Sequence, residues 1–105
     1  MLALNIQLPE DTIAEFYQRW KVSESALFGS VLRDDFRPDS DIDVLVTFAP
    51  DAKRGLLALA TMKYELEDLL GRKVDLVSKR AIEMSHNWIR RNEILGTAQV
   101  IYVAR

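Results

Sequence analysis

A glycine–serine pair, Gly29-Ser30, is followed after ten residues by Asp41-Ile42-Asp43, and a third aspartate, Asp75, stands between Val74 and Leu76. Successive side chains of a strand point to opposite faces, so Asp41 and Asp43 share a face about 6.6 Å apart, at roughly 3.3 Å per residue. Two ionised carboxylates that close together on a semi-apolar strand are costly without a counter-charge, and a divalent cation supplies one. Hard oxygen ligands on a rigid strand suit Mg²⁺ or Mn²⁺, which keep positions open for water and phosphate oxygens. With Asp75 brought in from a neighbouring strand, three carboxylates match a two-metal site for phosphoryl or nucleotidyl transfer.

The Gly29-Ser30 pair supplies the other half of that chemistry. A glycine at a strand end lets an anion approach the backbone, because no Cβ stands in the way. If Val31–Asp34 turns helically, the N–H groups from Ser30 onward point at that anion. The Ser30 hydroxyl adds a hydrogen bond to a phosphate oxygen. Arg33, one turn on, either forks onto the same phosphates or pairs with Asp34 or Asp35. One end of the constellation suits a polyphosphate and the other a metal, as a magnesium–nucleoside triphosphate requires. The competing reading of the same residues is a solvated acidic turn with Asp43 at a strand start.

The rest of the sequence bounds what can carry this site. At 105 residues with 49% hydrophobic positions, residues 1–105 are expected to form one packed domain. The absence of cysteine excludes disulfides, thiolate nucleophiles and cysteine-based zinc sites, and a single histidine, His86, excludes a multi-histidine centre. No apolar run approaches the roughly 18 residues of a membrane span, and the start lacks the basic character of a signal peptide, so a cytoplasmic location is expected. A net charge of −2 speaks against direct nucleic-acid binding. The acidity is local: five aspartates fall between Asp34 and Asp43, while the second half of the chain is net basic.

Hydrophobic periodicity places the motifs on elements. Ile13, Phe16, Tyr17 and Trp20 recur at helical spacing over Pro9–Trp20, with Glu10 and Asp11 opposing the positive end of the dipole. Ser25–Phe28 reads as a short strand ending at Gly29. In Asp41–Phe48, Ile42, Val44, Val46 and Phe48 form one strand face and Asp41, Asp43, Leu45 and Thr47 the other. Pro50–Arg54 reads as a turn. Gly55–Leu70 carries a leucine-rich stripe, and Gly71 stands where a left-handed cap belongs. Lys73–Val77 reads as a strand, Ser85 as the cap of a helix through Leu95 stopped by Gly96, and Gln99–Val103 as a last strand. This alternation predicts the α/β (α+β) class, a small mixed sheet of about four strands flanked by helices. Trp88 and Ile89 are expected in the core, with a partner-facing patch as the alternative, His86 at the surface or as a cap, Arg72, Lys73, Lys79 and Arg80 as rim charges or as charges that steer ATP or the partner, and Ser40 as a residue that fixes its loop through the backbone.

Leu27-Phe28-Gly29-Ser30-Val31-Leu32-Arg33, followed by Arg37-Pro38-Asp39-Ser40-Asp41-Ile42-Asp43-Val44-Leu45-Val46, resembles the signature of the minimal nucleotidyltransferases (MNT), within the DNA polymerase β-like nucleotidyltransferase superfamily. The resemblance extends over almost the whole chain. It implies that Asp41 and Asp43 bind two Mg²⁺ ions, that Asp75 completes the site as metal ligand, general base or both, and that Gly29-Ser30 holds the triphosphate of ATP. Proteins of this kind are typically paired with a HEPN-domain toxin ribonuclease and adenylylate a tyrosine of it. The resemblance therefore implies an antitoxin that transfers AMP from ATP to a cognate HEPN toxin. No second domain is expected to enclose a small substrate, which favours a protein acceptor. The alternatives are a non-catalytic antitoxin acting by occlusion, and a transferase acting on a small molecule or an RNA end. Oligomeric state stays open.

Overall fold

Alternation along residues 42–48 sends Ile42, Val44 and Val46 to one side of a strand and Asp43, Leu45 and Thr47 to the other, and two separate apolar clusters form on the two sides. The computed structural model describes residues 10–32, 37, 40–52 and 55–104, apart from the side chains of Ser30 and Leu56. In chain order the elements are α1 (Glu10–Arg19), β1 (Val22–Phe28), a single 3₁₀ turn (Gly29–Leu32), β2 (Ile42–Phe48), α2 (Leu56–Leu70), β3 (Val74–Ser78), α3 (Lys79–Glu83), α4 (Trp88–Thr97) and β4 (Gln99–Val103). The strands form one mixed sheet in the order β3-β2-β1-β4, with β1 antiparallel to both neighbours and β2 parallel to β3. A parallel pair needs a crossover, and α2 provides it.

On one face, Ile13, Phe16 and Tyr17 of α1 and Met62 and Leu66 of α2 pack against Val22, Leu27, Ile42, Val44, Val46 and Val74. On the other, Ile82 of α3 and Ile94 of α4 cover Ala26, Phe28 and Leu45. The expected mixed four-stranded sheet with flanking helices is thus the observed one. Gly71 caps α2 in the left-handed conformation at φ 67°, its N–H donating to the Glu67 carbonyl at 2.8 Å.

Several boundaries differ from the sequence reading, and three of the differences have a physical reason in the contacts. β1 begins three residues before Ser25, because its polar residues find partners. The buried Ser25 hydroxyl donates to Tyr17 Oη at 2.8 Å, and Ser23 Oγ donates to the Thr47 carbonyl at 3.0 Å. Residues 79–97 form two helices rather than one. Ser78 Oγ accepts from the Ala81 N–H to start α3, and Asn87, not Ser85, caps α4 by accepting from the Arg90 N–H at 3.1 Å. Gly96 does not stop α4, which continues to Thr97. An interior glycine costs only about 1 kcal/mol relative to alanine, and Ile94 and Leu95 hold this turn against the second core.

Trp88 and Ile89, expected inside, are 61% and 63% exposed. At 3.6 residues per turn both lie more than about 100° around the helix from buried Ile94, so the face that packs Ile94 turns them outward. Among the described residues no helix is long and apolar enough to cross a membrane.

Candidate active site

Because β2 and β3 run parallel they start at the same end of the sheet, and β1, antiparallel to β2, ends there. The topology therefore gathers Phe28-Gly29-Ser30, Asp41-Ile42-Asp43 and Asp75 at one sheet end. The register is specific: Asp43 pairs with Asp75 across β2–β3 and with Phe28 across β1–β2. Neighbouring strands lie about 4.8 Å apart. Asp43 and Asp75 thus stand side by side on the face shared with Leu45. Asp43 is half-buried, while Asp75 and Asp41, which sits just before β2, are exposed.

Gly29 turns the chain at the end of β1 with φ 76°. A Cβ built on it would fall into the Asp43 carboxylate, 3.1 Å from its Cγ and closer still to Oδ2. The missing side chain therefore has a use beyond the anion approach expected from sequence: it seats Asp43. After Gly29 the chain makes the short 3₁₀ turn, anchored by Val31, whose side chain is fully buried. The Ser30 backbone lies in this turn. The Ser30 side chain and Arg33 fall outside the described residues.

The residues around the aspartates are fastened to one another. The Arg37 N–H donates to Ser40 Oγ and the Ser40 N–H returns to the Arg37 carbonyl, both at 3.0 Å, so Ser40 fixes its loop as expected. Arg72 Nη2 donates to the carbonyls of Arg37 and Ser40 at 2.6 and 3.1 Å. Glu67 Oε2 accepts from the Val74 N–H at 2.9 Å, next to Asp75. Glu67 carries no site signal in the sequence, and Arg72 reads there as a rim charge or one that steers ATP or the partner, not as a brace for the aspartates. Only the return of α2 to the sheet gives them this role.

Beside Gly29 opens a cleft of about 520 Å³, walled by Phe28 and Leu32 on one side and by Glu93, Ile94, Thr97 and Gln99 on the other. The cleft residues from α4 and β4 belong to no motif and are visible only after folding.

Among the described residues no group of three or more acidic, histidine or cysteine side chains already converges as a metal cluster. What is prearranged is the backbone: two aspartates in register and a third two residues upstream. The donor set, carboxylates alone with one seated against a glycine that has no Cβ, fits a hard divalent cation.

The chain matches the nucleotidyltransferase domain family over residues 10–100. A Methanocaldococcus jannaschii protein assigned as a protein adenylyltransferase is 35% identical over 79 residues, covering 75% of this chain and 83% of the relative. A chain of a toxin–antitoxin complex crystallised with AMP-PNP superposes with a TM-score of 0.71 at 22% identity, covering 93% of this chain and 76% of that one. A chain from the complex of tri-AMPylated Shewanella oneidensis HEPN toxin with MNT antitoxin gives 0.63 at 22% identity, covering 90% and 70%. The extent of the family match, the shared fold and the glycine–aspartate corner agree, and the chain belongs to the nucleotidyltransferase domain family.

Proposed function

We propose that the protein is a Mg²⁺-dependent adenylyltransferase that moves AMP from ATP to a protein hydroxyl, a tyrosine of a cognate HEPN toxin, and so acts as an antitoxin. The observation that carries the reading is the register of Asp43 with Asp75, beside a glycine turn that seats Asp43. The protein adenylyltransferase among its relatives, and the complex of MNT antitoxin with AMPylated HEPN toxin from which one structural neighbour comes, support the choice of donor and acceptor.

In this reading Asp41 and Asp43 hold the ion that accompanies ATP, and Asp75, beside Asp43, is placed to hold a second one or to take the acceptor's proton. When bound, the divalent ions neutralise charge on the triphosphate and lower the pKa of the acceptor hydroxyl. The backbone N–H groups at Gly29-Ser30 seat the phosphates, with the Ser30 hydroxyl and Arg33 as further donors. The tyrosine oxygen bonds to the α-phosphorus, the bond from that phosphorus to the bridging oxygen breaks, pyrophosphate leaves, and the phenolic proton passes to Asp75 or to water. The strand register fixes Asp43 beside Asp75 before substrate arrives, and such prior placement lowers the entropic part of the barrier.

The test is incubation of the protein with ATP, Mg²⁺ and the product of the neighbouring open reading frame, expected to be a HEPN protein, followed by intact-mass measurement. A gain of one or more AMP on the HEPN protein, lost in the D41A/D43A double variant, is the expected result. Inhibition of the toxin without mass gain would instead identify an antitoxin acting by occlusion. Label appearing on RNA or a small molecule would move the acceptor.

A further inference from the structure

We propose that Arg72 is a positioning residue for the Asp41 and Asp43 carboxylates, locking the loop that delivers them to the connection that delivers Asp75. The inference rests on the nucleotidyl-transfer reading above. One guanidinium nitrogen of Arg72 bonds two carbonyls three residues apart, Arg37 O at 2.6 Å and Ser40 O at 3.1 Å. These are the ends of the turn that Ser40 closes with its own hydroxyl and N–H, and Ser40 is the neighbour of Asp41.

On its other side Arg72 leads directly into β3. The carbonyl of the next residue, Lys73, accepts from the Ile42 N–H at 3.0 Å, between Asp41 and Asp43. The N–H of Val74 is held by Glu67 of α2 at 2.9 Å. The residues entering both acidic strands are thus joined by one side chain and one backbone bond, and the second strand is tied back to a helix. Like-charged carboxylates brought to one sheet end repel, and a loop carrying one of them is under pressure to swing away. A charge-assisted contact to two carbonyls, the one at Ser40 half-buried and the one at Arg37 exposed, resists that motion, so that the carboxylates meet the ion already in place. Supporting residues of this kind typically change metal affinity by about 10–100-fold when removed.

The experiment measures Mn²⁺ binding by electron paramagnetic resonance in the presence of a non-hydrolysable ATP analogue, for wild type, R72M, R72K and the D41N/D43N double variant. R72M keeps the apolar stem and removes every donor. It is expected to bind Mn²⁺ about 10–100-fold more weakly while still unfolding cooperatively, and to regain its transfer rate when Mn²⁺ is raised. R72K, whose ammonium can reach the same carbonyls, is expected to recover part of the affinity. Wild-type affinity in R72M, within twofold, overturns the proposal while loss of binding in D41N/D43N leaves the broader reading standing. Wild-type binding in D41N/D43N overturns both. Should R72M fail to fold, R72Q, which lacks the charge and the length of the guanidinium, takes its place, and wild-type affinity within twofold in R72Q overturns the proposal.

Discussion

The Asp43 carboxylate occupies the space that a side chain on Gly29 would need, and on its other flank Asp43 lies in register with Asp75. Three strands therefore meet at one aspartate: β1 ends in the glycine turn that seats it, β2 carries it, and β3 aligns a second carboxylate beside it. Sheet register aligns these positions, and the Arg72 contacts to the Arg37 and Ser40 carbonyls brace the loop that leads into them. The expectations below follow from it and from the core that supports it.

Replacing Gly29 by alanine meets two costs at once. The residue sits at φ 76°, where a Cβ adds about 1–2 kcal/mol, and the added methyl displaces the Asp43 carboxylate. We expect G29A to lower the melting temperature and to reduce AMP transfer at least tenfold. Thermal denaturation beside a transfer assay checks both, and wild-type transfer in a folded G29A would show that the seat is unimportant.

The asparagine variants separate chemistry from folding. Asp41 and Asp75 are exposed, so D41N and D75N should change stability by no more than about 0.5 kcal/mol. Each is expected to reduce transfer by at least about 100-fold, as is D43N, and chelation of divalent ions by EDTA should abolish transfer by the wild type. Residual activity near wild type in D75N would remove that residue from the reaction.

Ser25 and Tyr17 form a buried hydrogen-bonded pair far from the chemistry, with Tyr17 packed edge-on to Phe16 and tilted against Tyr102. S25A leaves the Tyr17 hydroxyl without this donor in an apolar setting and should cost about 1–3 kcal/mol. Chemical denaturation would measure it. Transfer per folded molecule is expected to stay unchanged, because neither residue touches the sheet end that holds the aspartates.

Burial pushes the Tyr17 phenol up from 10.0 to about 12, the hydrogen bond from Ser25 partly opposing the shift. The folded state therefore prefers the protonated phenol, so this contribution is intact below pH 10 and is lost as pH climbs from about 10 to 12. The lost stability amounts to roughly 3 kcal/mol at 1.36 kcal/mol per pH unit. Denaturant midpoints measured across that range should fall for the wild type and fall less steeply for Y17F.

The exposed pair Trp88 and Ile89 packs into neither core. Substitution of either by serine should leave stability within about 0.5 kcal/mol, in contrast to I94A, which empties a buried position and should cost about 2–5 kcal/mol. Parallel denaturation curves for the three variants distinguish the outward face of α4 from the inward one.

Much of this protein was legible along the chain. Strict alternation in 42–48, the leucine stripe closed by Gly71 and the Gly29-Ser30 to Asp41-Asp43 spacing are local patterns, and local patterns predict local structure because backbone geometry repeats every 2 or 3.6 residues. Places where the reading slipped depend on distant partners. β1 reaches back to Val22 because Ser23 finds the Thr47 carbonyl and Val22 pairs with Phe48, α4 runs through Gly96 because the second core holds Ile94, and Trp88 and Ile89 face outward because that same contact sets the rotation of the helix.

The site divides in the same way. Residue types and spacing alone marked Asp41, Asp43, Asp75, Gly29 and Ser30 as a candidate for phosphate and metal chemistry, since few other arrangements call for paired strand aspartates beside a glycine turn. That Asp43 faces Asp75 residue for residue, that Gly29 yields its side-chain space to Asp43, and that Arg72 and Glu67 brace the strand entries were decided only by the tertiary structure. Register, close packing and hydrogen bonds across more than thirty residues of chain arise from how strands and helices meet in space, and no local periodicity encodes them.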